Sequence, residues 1–456
     1  MMNRAKILEN ILSRLNPKST NSFLNRAGLV LIGSILGQGI AFILLPLTVR
    51  IYSVETLGQA ASTLALFSIV GLVACMQLDQ ALIVATDQEV PYIVILGLGS
   101  AVAWVLLLGL VLQIFQWNYP ENIHLLNSYG LNRYLLLLIF VYSIFLLLIN
   151  YRLRANQLAM VSLGRLIYYG GGATLQVAGG YAIGGTEFVY LAAVGAAAII
   201  AILVLIPYQA IFRSMPTKIP LYFASTAEIS KCARKYVGFT KYQTGAQLLN
   251  VISVQFPIFI LRAFFSDAWA GWYFMALRLL GTPTALLSQA IGQIFYRDSA
   301  EDVRNGKLIH EKLEAISTQL IRICIIPLIF VVCFADSIIG IFLGEEWLPL
   351  GLIVQILIIS YLAAFFTSPL STLLNVSGKQ VVAFRFNAAL FLVRISACGL
   401  GWFMDNEWVF LWTYSITSMC VYLLLFRYII VSSGASMAAI TRNVIPALIW
   451  RLRFNH

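Results

Sequence analysis

Charge is scarce in this chain: only 11% of its 456 residues are Asp, Glu, Lys or Arg, against 60% that are hydrophobic. A soluble domain carries about a quarter charged residues, so that class is excluded. Histidine is scarcer still, with three residues scattered through connections and the tail (His124, His310 and His456). The six cysteines (Cys75, Cys232, Cys324, Cys333, Cys398 and Cys420) form no CxxC pair. Five of them fall inside apolar runs, where they read as small packing residues, so neither a metal site nor a disulfide framework is expected. No connection between apolar runs much exceeds 25 residues. That leaves no room for a soluble catalytic head or a nucleotide-binding domain, and no Walker motif is present. Acids are fewer than bases, 19 against 30, giving a net charge of +11. In so apolar a chain that excess points to anionic headgroups as partner, not to nucleic acid.

What fills the chain is apolar segments of membrane-crossing length. Twelve are expected, at 27–49, 57–78, 91–115, 134–151, 158–180, 188–211, 238–261, 270–295, 321–343, 352–374, 382–403 and 408–431. Each reaches the roughly 20 residues that cross about 30 Å of hydrocarbon. With the N-terminus inside, 25 of the 30 basic residues fall at cytoplasmic connections and ends. Three (Arg50, Arg133 and Arg262) fall outside, and Arg278 and Arg394 fall within spans away from their cytoplasmic ends. The positive-inside rule therefore places both termini in the cytoplasm. The expected class is an all-α polytopic membrane protein. Residues 1–26 read as an amphipathic cytoplasmic N-terminus with no cleavable signal, and residues 432–456 as a similar tail.

A second pattern divides the chain. The first span carries Pro46 and ends at Arg50, and Gly58 opens the next helix. The seventh carries Pro257 and ends at Arg262, and Gly271 opens the next. Proline to arginine is four residues and then five; arginine to glycine is eight and then nine. Six spans separate the copies, so both run in the same direction, an arrangement that transporters use. The division is an N-lobe at 27–212, a cytoplasmic linker at 213–237 and a C-lobe at 238–431.

Polar groups at membrane depth mark a pathway, because they are costly against lipid. Arg394 lies about twelve residues, or about 18 Å, into the eleventh span. It shares a face with Asn387 and Phe391. Arg278 lies about eight residues into the eighth span, above a stripe of Thr282, Ala285, Gln289, Gln293 and Tyr296. The seventh span adds Gln243, Gln247 and Asn250, and the first adds Ser34 and Gln38. Interior cations without acids at equal depth call for a wet cavity, an anionic guest, or an ion pair that joins helices. Arginine's planar fork of donors suits phosphate, and the amides suit sugar hydroxyls. Arg50, Arg133 and Arg262 at helix ends also fit plain headgroup anchoring, and the amides also fit interhelical hydrogen bonds.

These residues carry a resemblance. The stretch Gly33–Ile40 (GSILGQGI), Pro46, Arg50-Ile51-Tyr52-Ser53, Leu57-Gly58 and Leu78–Ala85 (LDQALIVA) resembles polysaccharide-biosynthesis flippases of the Wzx type. So does Ala276-Leu277-Arg278-Leu279 with Pro283. That family sits in a larger group with MATE drug exporters and the lipid II flippase, in which an arginine in a similar setting lines the central cavity. One departure stands out: the family often shows arginine two residues before an acid, and here Gln77 precedes Asp79. The resemblance implies two six-helix lobes around a central cavity open alternately to each side. It implies as guest an undecaprenyl-diphosphate-linked oligosaccharide at the bacterial inner membrane, with membrane lipids, a polysaccharide polymerase and a chain-length regulator as partners and no cofactor. Arg278 and Arg394 would meet the diphosphate or acidic sugars, with Arg50 and Arg262 near the outer exit. Gln38, Gln247, Asn250, Gln289 and Gln293 would hold the glycan. No bond is made or broken, so no enzyme is expected. The main rival is a MATE-like ion-coupled exporter of small molecules, which would place a carboxylate at mid-span. A polymerase or ligase would want a long external loop, and a glycosyltransferase an acidic site.

Overall fold

The computed structural model describes residues 22–118, 133–206, 226–238, 244–304, 310–376 and 379–444. The far N-terminus and the end of the C-terminal tail, both expected to be amphipathic, lie outside these residues. The chain is helical throughout the described part. Helices α1 (Ser22–Ile43), α2 (Leu45–Ile51), α3 (Val54–Ala74), α4 (Leu78–Val84), α5 (Val90–Asn118) and α6 (Arg133–Arg154) come first. Then follow α7 (Leu158–Leu166), a π-turn (Ile167–Gly171), α8 (Gly172–Ile183), α9 (Glu187–Leu205) and α10 (Thr226–Gly238). The rest comprises α11 (Thr244–Phe264), α12 (Asp267–Ala276), a second π-turn (Leu277–Gly281), α13 (Thr282–Arg304) and α14 (His310–Leu343). It ends with α15 (Pro349–Val376), α16 (Gln380–Phe403) and α17 (Glu407–Ser432).

Among the described residues nine helices are long and apolar enough to cross a membrane, and α1 with α2, bent by 45°, make a tenth. The expected spans at 158–180 and 270–295 are helical too, but a π-turn interrupts each. Their outward faces explain the membrane class. On α5, Leu106, Leu107, Leu110 and Val111 are exposed, and on α14 so are Ile326, Ile329 and Phe330. Apolar surface of that extent is covered by hydrocarbon, and helices satisfy their own backbone there.

The chain forms two compact units: Met1–Ile51, Val70–Asn127 and Leu131–Gly245 in the first; Tyr52–Ile69, Ser128–Gly130 and Ala246–His456 in the second. In the first unit α1 packs on α7, α8 on α9, and α4 and α5 on α6. Glycine allows the closest approach: a Cβ on Gly33 would lie 2.0 Å from the Ser162 carbonyl oxygen. Amphipathic α10 lays Cys232 and Tyr236 on a core of Cys75, Leu78, Ala81, Leu82, Ile93 and Leu147. In the second unit α15 is the hub, packed against α13, α14 and α17, with α16 on α17. All six cysteines are free thiols, four of them buried.

Candidate functional site

The two helix starts that echo each other in sequence meet within the second unit. Ser53 Oγ accepts from the Thr56 N–H at 3.2 Å, and Ser266 Oγ accepts from the Trp269 N–H at 3.2 Å. Each serine thus caps the helix after it, α3 and α12. Five residues beyond each cap lies a glycine. A Cβ on Gly58 would stand 1.9 Å from the Asp267 carbonyl oxygen, and one on Gly271 would stand 2.2 Å from that of Val54. The first residue of each helix therefore rests on the glycine of the other. Side chains fasten the crossing: Gln59 Nε2 donates to Asp267 Oδ2 at 2.8 Å, and Arg262 Nε pairs with Asp267 Oδ1 at 2.6 Å. Arg262 is thus engaged by a carboxylate five residues further along the chain. Arg50, at the end of α2 in the first unit, is exposed.

Arg278 sits on the second π-turn. Such turns interrupt helices most often where function needs a local change of register. Its guanidinium carbon lies 5.2 Å from the Phe274 ring centroid, a cation–π distance, and the side chain is partly exposed. The turn ends at Gly281, where a Cβ would touch the Tyr361 ring at 3.5 Å. Downstream on α13, Gln289 is exposed and Thr282 partly so; the side chains of Gln293 and Tyr296 fall outside the described residues. On α11 of the same unit, Asn250 is exposed and Gln247 partly so, while Gln243 falls outside the described residues. Gln38 of the first unit is partly exposed, and Ser34 accepts from Arg165 Nη1 at 3.4 Å.

Arg394 is placed differently. It is only 7% exposed, within the second unit. Nε donates to Ser418 Oγ at 3.2 Å and Nη1 to Ser253 Oγ at 3.1 Å, and the guanidinium lies 5.2 Å from the Tyr414 ring centroid. No carboxylate pairs with it among the described residues. Its place well inside one helix, α16, was legible in the sequence. The serines and tyrosines around it, drawn from several helices, were not.

Sequence reasoning missed a polar cluster in the first unit. Glu89, just before α5, accepts from Lys235 Nζ at 2.5 Å and from the Tyr236 hydroxyl at 2.9 Å, both on α10. It also accepts from the Thr86 N–H and hydroxyl at 3.0 and 2.9 Å. Lys235 first, and then Thr86, hold the Glu89 carboxyl down to about 2. Arg154 reaches the Leu82 and Ala85 carbonyls and pairs with Asp87. Nearby, Asp79 accepts from Asn150 Nδ2 at 2.9 Å.

The described residues thus define a multi-pass helical membrane protein with a bent first span and two π-turns. Solved structures agree on the fold. The lipid II flippase MurJ in an inward closed conformation matches with a TM-score of 0.68 at 13% identity, over 93% of this chain and 90% of that one. A multidrug resistance MATE family transporter of the MOP superfamily, inward-facing, matches at 0.56 and 14% identity, over 93% and 96%. A MOP superfamily transporter from Pyrococcus furiosus, described by the reverse polarity of its binding pocket, matches at 0.58 and 11%, over 92% and 99%. The family model of polysaccharide biosynthesis proteins matches residues 47–351, so the chain belongs to that family. No curated protein matches the sequence significantly.

Proposed function

We propose that this protein is a flippase for undecaprenyl-diphosphate-linked oligosaccharide repeat units, such as those of O-antigen. It turns them from the cytoplasmic to the outer face of the bacterial inner membrane by alternating access. The observation that carries the reading is Arg278: a guanidinium on a π-turn, backed by Phe274 and leading into a stripe with Thr282 and Gln289. Arginine fits a diphosphate because its parallel N–H groups pair with two oxygens at once. Gln247, Asn250 and Gln289, exposed or partly exposed, suit glycan hydroxyls, with Gln38 and Gln293 as further candidates. Arg50 and Arg262 belong near the outer exit, with Arg262 held by Asp267 until that end opens. The carrier makes and breaks no bond; the delivered units pass to a polysaccharide polymerase and chain-length regulator. Membership in a polysaccharide biosynthesis family and the likeness in fold to a lipid II flippase support this reading over a small-cation exporter.

The test is surface glycan in cells lacking the protein, complemented by wild type, Arg278→Ala or Arg278→Lys. Loss of surface glycan with build-up of the cytoplasmic-face intermediate, restored by wild type and not by an expressed Arg278→Ala, is the expected result. Failure of Arg278→Lys points to guanidinium geometry, and rescue to charge alone. Normal delivery without the protein sinks the flippase reading and leaves an ion-coupled exporter in its place.

A further inference from the structure

A cation removed from water costs several kcal/mol unless something compensates it. Arg394 has the burial without a visible acid. A guanidinium offers five N–H donors. Nε and Nη1 give one each to Ser418 and Ser253, which leaves three without a protein acceptor among the described residues. A second buried group nearby shares the problem. Tyr273 is fully buried on α12, its ring 6.3 Å from that of Tyr414, and its hydroxyl, though close to that of Tyr414, makes no hydrogen bond of good geometry. The hydroxyls of Tyr273, Tyr361, Tyr414 and Tyr422 all lie within electrostatic reach of the guanidinium. The cluster is thus a positive charge with phenolic and seryl O–H groups around it, lying inside one compact unit.

We propose that this cluster is a binding site for a small monovalent anion of halide type, held by Arg394 and capped by the Tyr273 hydroxyl. Every group in it can donate. Tyrosine and serine O–H groups rotate, so they can turn their protons toward an anion, whereas an added cation would find a fixed positive charge. An anion accepts the unused N–H groups and the orphan hydroxyl together and neutralises the charge where no carboxylate does. Water could take the hydrogen bonds but would leave the charge uncompensated. A diphosphate-linked sugar is a different guest: with Arg394 this enclosed, the site suits a single small ion, and the assignment stands whatever the carrier moves.

The site is tested on the full chain in detergent or nanodiscs, with bromide and chloride as probes. Thermal unfolding is followed as sodium gluconate is exchanged for sodium chloride or bromide at constant ionic strength. Wild type is expected to gain stability saturably with halide. Tyr273→Phe should weaken the halide midpoint by about ten-fold, and Arg394→Gln should abolish the response. A structure in bromide should show anomalous density against the Arg394 guanidinium, which decides the matter even if Arg394→Gln does not fold. No halide-dependent gain in wild type overturns the proposal. So does a halide gain that both variants keep, or ordered water alone beside Arg394 at saturating bromide.

Discussion

Gly58 has no room for a side chain because the Asp267 carbonyl oxygen occupies the place of its Cβ, at 1.9 Å. The same holds at Gly271 against Val54. Two helix starts therefore interlock backbone to backbone, each through its own glycine. Valine at either position must push the helices apart, at a cost of about 1–3 kcal/mol by analogy with overpacked cores. Ala60, one turn into α3, is fully buried. A cysteine placed there should resist a membrane-impermeant thiol reagent in the parent and react in Gly58→Val. Equal protection in both would show that the crossing does not depend on the missing side chain.

Asp267 holds both Arg262 and Gln59. Asp267→Asn keeps the shape and removes the charge that offsets an arginine whose side chain is 5% exposed. The expected loss is about 1–2 kcal/mol, discounted from the figure for fully buried pairs because the carboxylate is 31% exposed. A double-mutant cycle with Arg262→Gln should show coupling; strict additivity would mean the pair contributes nothing.

The cluster on α10 gives a pH dependence. The Glu89 carboxyl is depressed from 4.5 to about 2, chiefly by Lys235. A folded value below the unfolded one stabilises fully above pH 4.5, and the effect is lost as pH falls toward about 2. Hydrogen-exchange protection in 226–238, corrected for the intrinsic rate at each pH, should therefore fall between those limits in wild type. In Glu89→Gln protection should already be lower at neutral pH and lack that acid step. An unchanged profile in the variant would detach the helix from this carboxylate.

Glycines in the first unit differ in what they allow. Gly33→Ala drives a Cβ into the Ser162 carbonyl oxygen and should lower the melting temperature, by about 1–3 kcal/mol of stability. Gly39→Ala meets nothing within 4 Å and should be neutral or gain up to about 1 kcal/mol from helix propensity. Equal effects at the two sites would mean that α1 can slide on α7 freely.

The interlocking helix starts were written in the chain as Ser53 with Gly58 and Ser266 with Gly271, five residues apart both times. Capping and close approach are local requirements, so local sequence shows them. Their meeting was not legible, since Gln59 and Asp267 are 208 residues apart. The same applies to Lys235 and Glu89, separated by 146. Hydropathy located the nine long apolar helices found among the described residues but was blind to the π-turns, which Leu277–Gly281 and Ile167–Gly171 make from ordinary helix-compatible residues. That Arg394 lies well inside one helix was plain from counting along the span; its tyrosines and serines come from other helices, and only packing brings them there.

The π-turn at Leu277–Gly281 amounts to one residue too many in a helix that does not break. Each helical residue turns the chain by about 100°, so everything after the turn is aimed about 100° away from where an uninterrupted helix would point it. Thr282 and Gln289 owe their bearing to that surplus. Deleting a single residue there would let the helix close regularly with Thr282 and Gln289 on nearly their present bearing, whereas tightening the turn at its present length would swing the polar stripe onto a different neighbour. The bearing of that stripe is thus set by how one turn of helix is wound as well as by the identity of its side chains.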